Sequence, residues 1–361
     1  MNNKKKVIIV GAKFGELYLN TFIEPPDHIE LVGLLSTGSQ RSHNLAKAFG
    51  IPLYRQVSDL PRDIDIACVV VRASIIGGTG NLLVEELLAK GINVIQEHPV
   101  SVQEIERHHR LAKQYKRHYC VNSFYSATTA GQTWLSSADH ISRNIGSPAS
   151  YGNLTTSRQL LYSTLDWLVQ SLDLGADVLT PELIYRQPLF DVLNLSSSSG
   201  HYLLQLQNHL DPSDPDMHSL AMHRIMLGWN SGYLSLADSY GPVTWTPVLH
   251  AKDHQKDHLS LYQTAGTPEG AYLHAQATQK IYQSNASRLD TFEVLGPEGI
   301  QTTINMFINQ IDTDSLARSL SSEHQIRVAQ LWEHILTLCG PVKETKLTPA
   351  KPVDLLCREE Q

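Results

Sequence analysis

The residues with most chemical potential stand at the ends of short apolar runs. Val7-Ile8-Ile9-Val10 reads as a buried strand and breaks at Gly11-Ala12-Lys13-Phe14-Gly15, just before a helical pattern. A strand that turns on glycine into a helix aims backbone N–H groups at an anion, and a dinucleotide pyrophosphate can approach where no side chain blocks it. The full G-x-G-x-x-G spacing is absent and Lys13 lies inside the turn, so the position in the chain carries this reading as much as the motif does. Gly11, Lys13, Phe14 and Gly15 are the candidate pyrophosphate residues. The next apolar run, Ile29–Leu35, ends where an adenosine ribose would be read, about 20 residues past the glycine turn. An Asp or Glu there would bind the ribose hydroxyls of NAD; this chain has Ser36-Thr37-Gly38-Ser39-Gln40-Arg41. Hydroxyls of Ser36, Thr37 and Ser39 and the guanidinium of Arg41 suit a 2′-phosphate, which a carboxylate would repel. NADPH is the expected cofactor, and a plain solvated Ser/Gly loop is the alternative.

Two further groups can move a proton. His98 follows a fourth apolar run and Tyr125 a fifth, and strand ends of a doubly wound sheet face the ligand cleft. An imidazole near pKa 6.5 or a phenol near 10 would each serve as donor to a strongly basic acceptor; the alternative is that both only pack or position. Seventeen histidines also raise the question of a metal. His250, His254 and His258 recur every four residues with Asp253 and Asp257 between them, yet Lys252 and Lys256 alternate with them. That stretch reads as a polar connection, and no metal is expected. His108 and His109 are expected on a solvated helix face.

The elements that must position these groups follow from periodicity. Near-continuous apolar runs at 7–10, 29–35, 66–71, 92–95 and 119–121 imply strands buried on both faces, as in a parallel sheet. Helical patterns lie between them; the clearest, 81–90, puts Leu83, Leu87 and Leu88 on one face and stops at Gly91. From Asn122 the pattern changes to helical stretches at 128–136 and 164–174. Alternating runs follow at 183–186, 201–206, 223–229, 232–238 and 280–282, then an amphipathic helix over Ser322–Cys339. The expectation is an α/β Rossmann-type, doubly wound parallel sheet over 1–121, followed by an α+β second domain over 122–340 with an open, largely antiparallel sheet. A tail over 341–361, carrying Pro349 and Pro352, should run over the surface.

Composition sets bounds on function. Of 361 residues 42% are hydrophobic and 18% charged, enough to build cores and too few charges for a disordered chain. A formal charge of -7 gives no electrostatic footprint for nucleic acid. No window reaches the roughly 18 apolar residues that span a bilayer, so no membrane partner is expected. Cys68, Cys120, Cys339 and Cys357 form no C-x-x-C, which fits neither a zinc site nor a disulfide framework and points to a reducing cytoplasm.

Gln96-Glu97-His98-Pro99 resembles the E-K-P motif of the glucose-fructose oxidoreductase/inositol dehydrogenase (Gfo/Idh/MocA) family, with His98 in the lysine's place. Phe49-Gly50-Ile51-Pro52 and the change of pattern near Asn122 fit the same family. Its second motif, an Asp followed four residues later by a catalytic His, is matched by Asp166 and, in place of the histidine, Gln170. The resemblance implies that Asp166 and Gln170 face the substrate and that Glu97 and His98 border the cofactor. An amide has no accessible ionisation and cannot take a sugar hydroxyl's proton, so alcohol oxidation is disfavoured. Gly11-Ala12-Lys13-Phe14-Gly15-Glu16, the stretch from Arg72 to Gly80, Gln96-Glu97-His98-Pro99 and Asn122-Ser123-Phe124-Tyr125 are similar to one branch, the thiazolinyl imine reductases of yersiniabactin- and pyochelin-type siderophore assembly. That resemblance implies NADPH-dependent reduction of a thiazoline C=N to a thiazolidine. The substrate would be carried as a thioester on a non-ribosomal peptide synthetase carrier domain, with His98, Tyr125 or both as proton donors, Arg72 at the cofactor, and a homodimer paired through the open sheet. The rival expectations are a sugar- or polyol-type oxidoreductase and an NADP(H)-sensing regulator without turnover.

Overall fold

Apolar runs too continuous for one-sided burial form the first sheet. The computed structural model describes residues 4–214, 218–250, 260–348 and 353. Strands β1 (Lys5–Val10), β2 (Ile29–Leu35), β3 (Leu53–Tyr54), β4 (Ile66–Val69), β5 (Asn93–Glu97) and β6 (Tyr119–Asn122) lie in the order β3-β2-β1-β4-β5-β6, every pair parallel. The order reverses between β1 and β4, where a doubly wound sheet opens its ligand crevice. Helices α1 (Gly15–Asn20), α2 (Gln40–Ala48), α3 (Gly80–Ala89) and α4 (Val102–Gln114) connect them. Ser39 caps α2 by accepting from the Ser42 amide at 3.3 Å, and Ser101 with Glu104 forms a capping box at the start of α4. Each cap satisfies a backbone donor that the helix itself leaves open.

One expectation fails on α4. His108 is fully buried, its ring edge-on to Tyr119 at 5.0 Å, because Ile105, His108 and Ala112 form the face of α4 that packs inward. Burial pushes His108 down to about 4. His109 is half-buried and bonds Gln325 at 3.3 Å.

The second part begins with α5 (Thr129–Ile145), β7 (Tyr151–Thr156) and α6 (Leu161–Leu172). Strands β8 (Thr180–Arg186), β9 (Phe190–Ser196), β10 (His201–Gln207), the short β11 (His209–Leu210), β12 (His223–Trp229), β13 (Gly232–Leu236) and β14 (Val243–Pro247) follow. Then come α7 (Leu261–Ala265), β15 (Gln279–Tyr282), α8 (Gly296–Thr313), α9 (Ser322–Cys339) and β16 (Lys343–Glu344). Eight of these strands build one open sheet, β15-β14-β13-β12-β7-β10-β9-β8, antiparallel except for the β7–β10 pair. Alternation, broken by a bulge between Leu183 and Tyr185, gives it one buried face, with Leu193, Leu195, Leu204, Ile225, Leu227 and Leu234 inside. The other face leaves Tyr151, Ile184, Tyr185, Leu203 and Tyr233 exposed.

Helices α8 and α9 return to the first sheet's side: α8 packs on α1 and on the 3₁₀ turn Phe124–Ala127, and α9 lies between α4 and α6. The strand β16 pairs with β11, so the beginning of the tail is fastened to the second part.

Candidate active site

At the end of β1, Gly11 has φ +109°, and a Cβ there would stand 2.6 Å from the Val70 carbonyl oxygen. Only glycine fits. At Gly15 a Cβ would meet the Ile9 methyl at 3.3 Å, so this glycine lets α1 sit close on β1. Lys13 is exposed, and Phe14 is half-buried with its ring 6.3 Å from that of Phe124. Beyond β2, Ser36 is half-buried, Thr37 exposed, and the Ser39 hydroxyl is occupied in capping α2. Arg41 ion-pairs with Glu16 on α1. A second guanidinium, Arg55, lies against Gly38 and donates to the Thr37 carbonyl at 3.4 Å, with His43 at 3.3 Å. Arg72 is exposed after β4. A glycine cradle closed to any Cβ, hydroxyls, and two guanidinium groups at the end of β2 form a donor set that fits a dinucleotide.

Chemistry gathers at the ends of β5 and β6. Gln96 is fully buried, accepts from the Tyr119 hydroxyl at 2.7 Å and donates to Asn81 at 2.8 Å; Asn81 continues the chain to Glu104 on α4. This chain pins β5 to both neighbouring helices. Next to it, Glu97 accepts from the Tyr18 hydroxyl, which in turn accepts from Asn122 at 2.6 Å. Burial pushes Glu97 up to about 8, with the Tyr18 bond opposing.

His98 stacks on Tyr162 with ring centroids 5.4 Å apart and 12° between planes; its Nε2 is 3.6 Å from Glu97. The buried Nδ1 has no hydrogen-bond partner among the described residues. Burial lowers His98 to about 4, and the Asp166 charge works the other way. The expected value near 6.5 is therefore corrected: desolvation keeps this imidazole neutral. Tyr125 is wedged between Phe124, 4.1 Å away and stacked, and His223 at 4.5 Å; burial first, then Tyr240, Glu97 and Asp238, hold its hydroxyl well above the ordinary range. His223, on β12, is locked between Ser163 at 2.7 Å and Ser239 at 2.8 Å, and burial, reinforced by His98, lowers it to about 3.

On α6, Asp166 Oδ2 accepts from Ser123 at 3.1 Å, Ser126 at 2.9 Å and Gln170 at 2.9 Å, while Oδ1 faces His324 Nε2 at 2.6 Å. These groups line a cavity of about 30 Å³ that also touches Tyr162. Gln170 thus serves as a donor to Asp166, the role an amide can fill. The structure brings Glu97, His98, Tyr125, Asp166 and Gln170 to one region and sets Ser36, Thr37, Ser39 and Arg41 at the end of β2. Sequence reasoning did not single out Tyr18, Arg55, Tyr162, His223 or His324. The available signal was polar residues inside apolar patterns, such as His324 at the start of the 3.6-period helix α9 and Arg55 directly after a strand.

Among the described residues no group of three His, Cys, Asp or Glu side chains could hold a metal ion. The spacing at His254 and His258 lies outside the described residues. No helix among the described residues is long and apolar enough to cross a membrane, and Cys68, Cys120 and Cys339 are buried free thiols.

A parallel six-strand sheet with a glycine turn is the architecture of a dinucleotide-binding domain, here joined to an open, mostly antiparallel sheet. Residues 5–123 match the family described as "Oxidoreductase family, NAD-binding Rossmann fold", and residues 147–246 match "Thiazolinyl imine reductase Irp3-like, C-terminal". The chain is an oxidoreductase of the Gfo/Idh/MocA type with an Irp3-like C-terminal domain. No curated protein matches it. Among solved structures it is similar to an oxidoreductase from Agrobacterium radiobacter in complex with NAD+, L-tartaric acid and magnesium (12% identity, TM-score 0.66, 93% of this chain and 96% of that one). It is also similar to UDP-N-acetylglucosamine 3-dehydrogenase GnnA from Acidithiobacillus ferrooxidans (10%, 0.65, 93% and 97%). A third is a point mutant of KijD10, a 3-ketoreductase from Actinomadura kijaniata, in complex with TDP-benzene and NADP (12%, 0.65, 95% and 99%). At these identities the likeness shows the fold alone.

Proposed function

We propose that this chain uses NADPH to reduce a thiazoline C=N to a thiazolidine, on a siderophore intermediate carried by a non-ribosomal peptide synthetase domain. The observation that carries this reading is the Irp3-like match over residues 147–246, the span from β7 into β14 that packs His223 against Tyr125. The residues at the site agree with it. Reduction of C=N adds a hydride to carbon and a proton to nitrogen, and the nitrogen becomes strongly basic as hydride arrives, so a neutral donor suffices. NADPH, when bound, supplies the hydride. Tyr125 holds its proton on a buried hydroxyl, and His98, stacked on Tyr162, offers a neutral imidazole N–H. Gln170 itself cannot remove a sugar hydroxyl's proton.

Arg41 and Arg55 are the groups that would read a 2′-phosphate. The exposed outer face of the second sheet, with Tyr151, Leu203 and Tyr233, is where two copies would pair. The deciding experiment follows NADPH oxidation with a synthetic thiazoline thioester and with a panel of sugars and polyols. Turnover of the thioester alone upholds the proposal. Turnover of sugars alone, or NADPH binding without any turnover, would replace it with a sugar oxidoreductase or a cofactor-sensing regulator.

A further inference from the structure

Helix α6 carries an amide at Gln170, yet the cavity beside it contains an imidazole from elsewhere in the chain. His324, on α9, reaches Asp166 Oδ1 at 2.6 Å, and both side chains are buried, 3% and 7% exposed. Three neutral donors, Ser123, Ser126 and Gln170, occupy Oδ2 and hold the carboxylate still. An imidazole whose one ring nitrogen is held by a fixed carboxylate, at the wall of a cavity, is the arrangement in which a histidine takes up and releases protons at its other nitrogen. The cavity, about 30 Å³, is polar and large enough for one water, and its Tyr162 wall is the ring on which His98 stacks.

We infer that His324, oriented by Asp166, is a proton-holding residue of this site, which resupplies the group that protonates the substrate. This deepens the proposed reduction and rests on it. The balance is simple: the electron pair travels with the hydride to carbon, the proton reaches nitrogen from Tyr125 or His98, that donor regains a proton from the His324–Asp166 pair, and the pair regains one from solvent. His324 is a positioning and supply residue in this scheme. The titratable groups that face the pair are Tyr162 on α6 and His98 with Glu97 behind it at the end of β5. From α4, His109 faces Gln325. On α9 itself Glu323 and Arg327 pair with each other at 3.7 Å, and just before α9 Arg318 pairs with Asp173.

The test uses the full chain with NADPH bound. Histidine-labelled protein is titrated by NMR, with His324→Gln assigning the resonance, and the same variant is assayed for kcat and KM against pH. The His324 ring resonances are followed across the pH range of the kcat profile. His324→Gln, which keeps a donor for Asp166, should lower kcat by about 10- to 100-fold, remove one ionisation from the kcat profile and leave NADPH affinity unchanged. Asp166→Asn should cost as much, and the double variant little more. A wild-type kcat and profile in His324→Gln overturns the inference. If that variant does not fold, the wild-type titration decides, with assignment by difference from other histidine variants: a ring that does not titrate over that range overturns the inference. A titrating His324 in a protein that leaves thiazolines untouched would sink the substrate proposal and keep the proton-holding pair.

Discussion

Arg41 is paired with Glu16 through side chains 55% and 44% exposed, and that pairing makes cofactor preference a measurable quantity. An exposed ion pair is worth about 0–1 kcal/mol, whereas a charge-assisted bond to phosphate contributes about 1.5–3 kcal/mol. Turning Arg41 from Glu16 to a 2′-phosphate therefore gains about 0.5–3 kcal/mol net, or roughly 2- to 150-fold in affinity. Arg41→Ala should weaken NADPH by that factor and leave NADH alone, since NADH offers no phosphate there. Glu16→Gln frees the guanidinium and should tighten NADPH up to about 5-fold. Arg55→Ala should weaken NADPH similarly and also disturb the loop, because Arg55 bonds the Thr37 carbonyl. The assay is quenching or energy-transfer fluorescence on titration with each cofactor. Equal losses for NADPH and NADH in Arg41→Ala, with Glu16→Gln leaving the ratio unchanged, would refute the assignment.

Stability against pH follows from four buried groups. His98, His108 and His223 have folded values of about 4, 4 and 3, below the unfolded value, so they lose stability as pH falls from about 6.5. Glu97, at about 8, is raised, so its contribution is lost as pH rises from about 4.5 to 8. Together they place the stability maximum near about pH 6.5, and Glu97→Gln should flatten the alkaline side; thermal melts across pH check this, and a maximum that stays put with an unchanged alkaline slope in Glu97→Gln would reject the buried acid. His98→Ala and Tyr125→Phe should each lower turnover about 10²- to 10⁴-fold for a true donor with NADPH binding intact, and a double variant at wild-type turnover would remove both from proton delivery. Gly11→Ala should cost at least about 2 kcal/mol in denaturant unfolding, from left-handed strain and the 2.6 Å approach to Val70, while Gly15→Ala should cost under about 1 kcal/mol because only a methyl of Ile9 must give.

The parallel sheet was legible because strands buried on both faces leave unbroken apolar runs, and β1, β2, β4, β5 and β6 all carry them. The strand β7 was not, since Tyr-Gly-Asn-Leu-Thr-Thr contains one aliphatic residue and takes its place from neighbours β10 and β12. Site residues were readable where a strand end marks the cleft, as at His98 and Tyr125. They were hidden where the fold brings distant helices together. His324 is separated from Asp166 by 158 positions, and no local spacing announces that contact. The glycine turn is legible as a turn, but a sequence does not say whether a missing Cβ makes room for a ligand or for a neighbouring strand. His108 was misread because its helix is otherwise rich in charge, and burial of one face is set by what packs on it.

The return of α8 and α9 to the first sheet has a consequence for the order in which the molecule is made. Every strand of the nucleotide-binding sheet has left the ribosome by Asn122, and Asp166 follows soon after. His324 comes 158 residues behind Asp166, roughly 8 to 30 s later at ordinary rates of synthesis. Lys5, on the very first strand, meets Asp312 on α8, and the start of α4 is held by Glu333 on α9. The nascent chain thus holds Tyr18, His98 and Tyr125 long before α8 and α9 arrive, and these late helices fasten the earlier elements together.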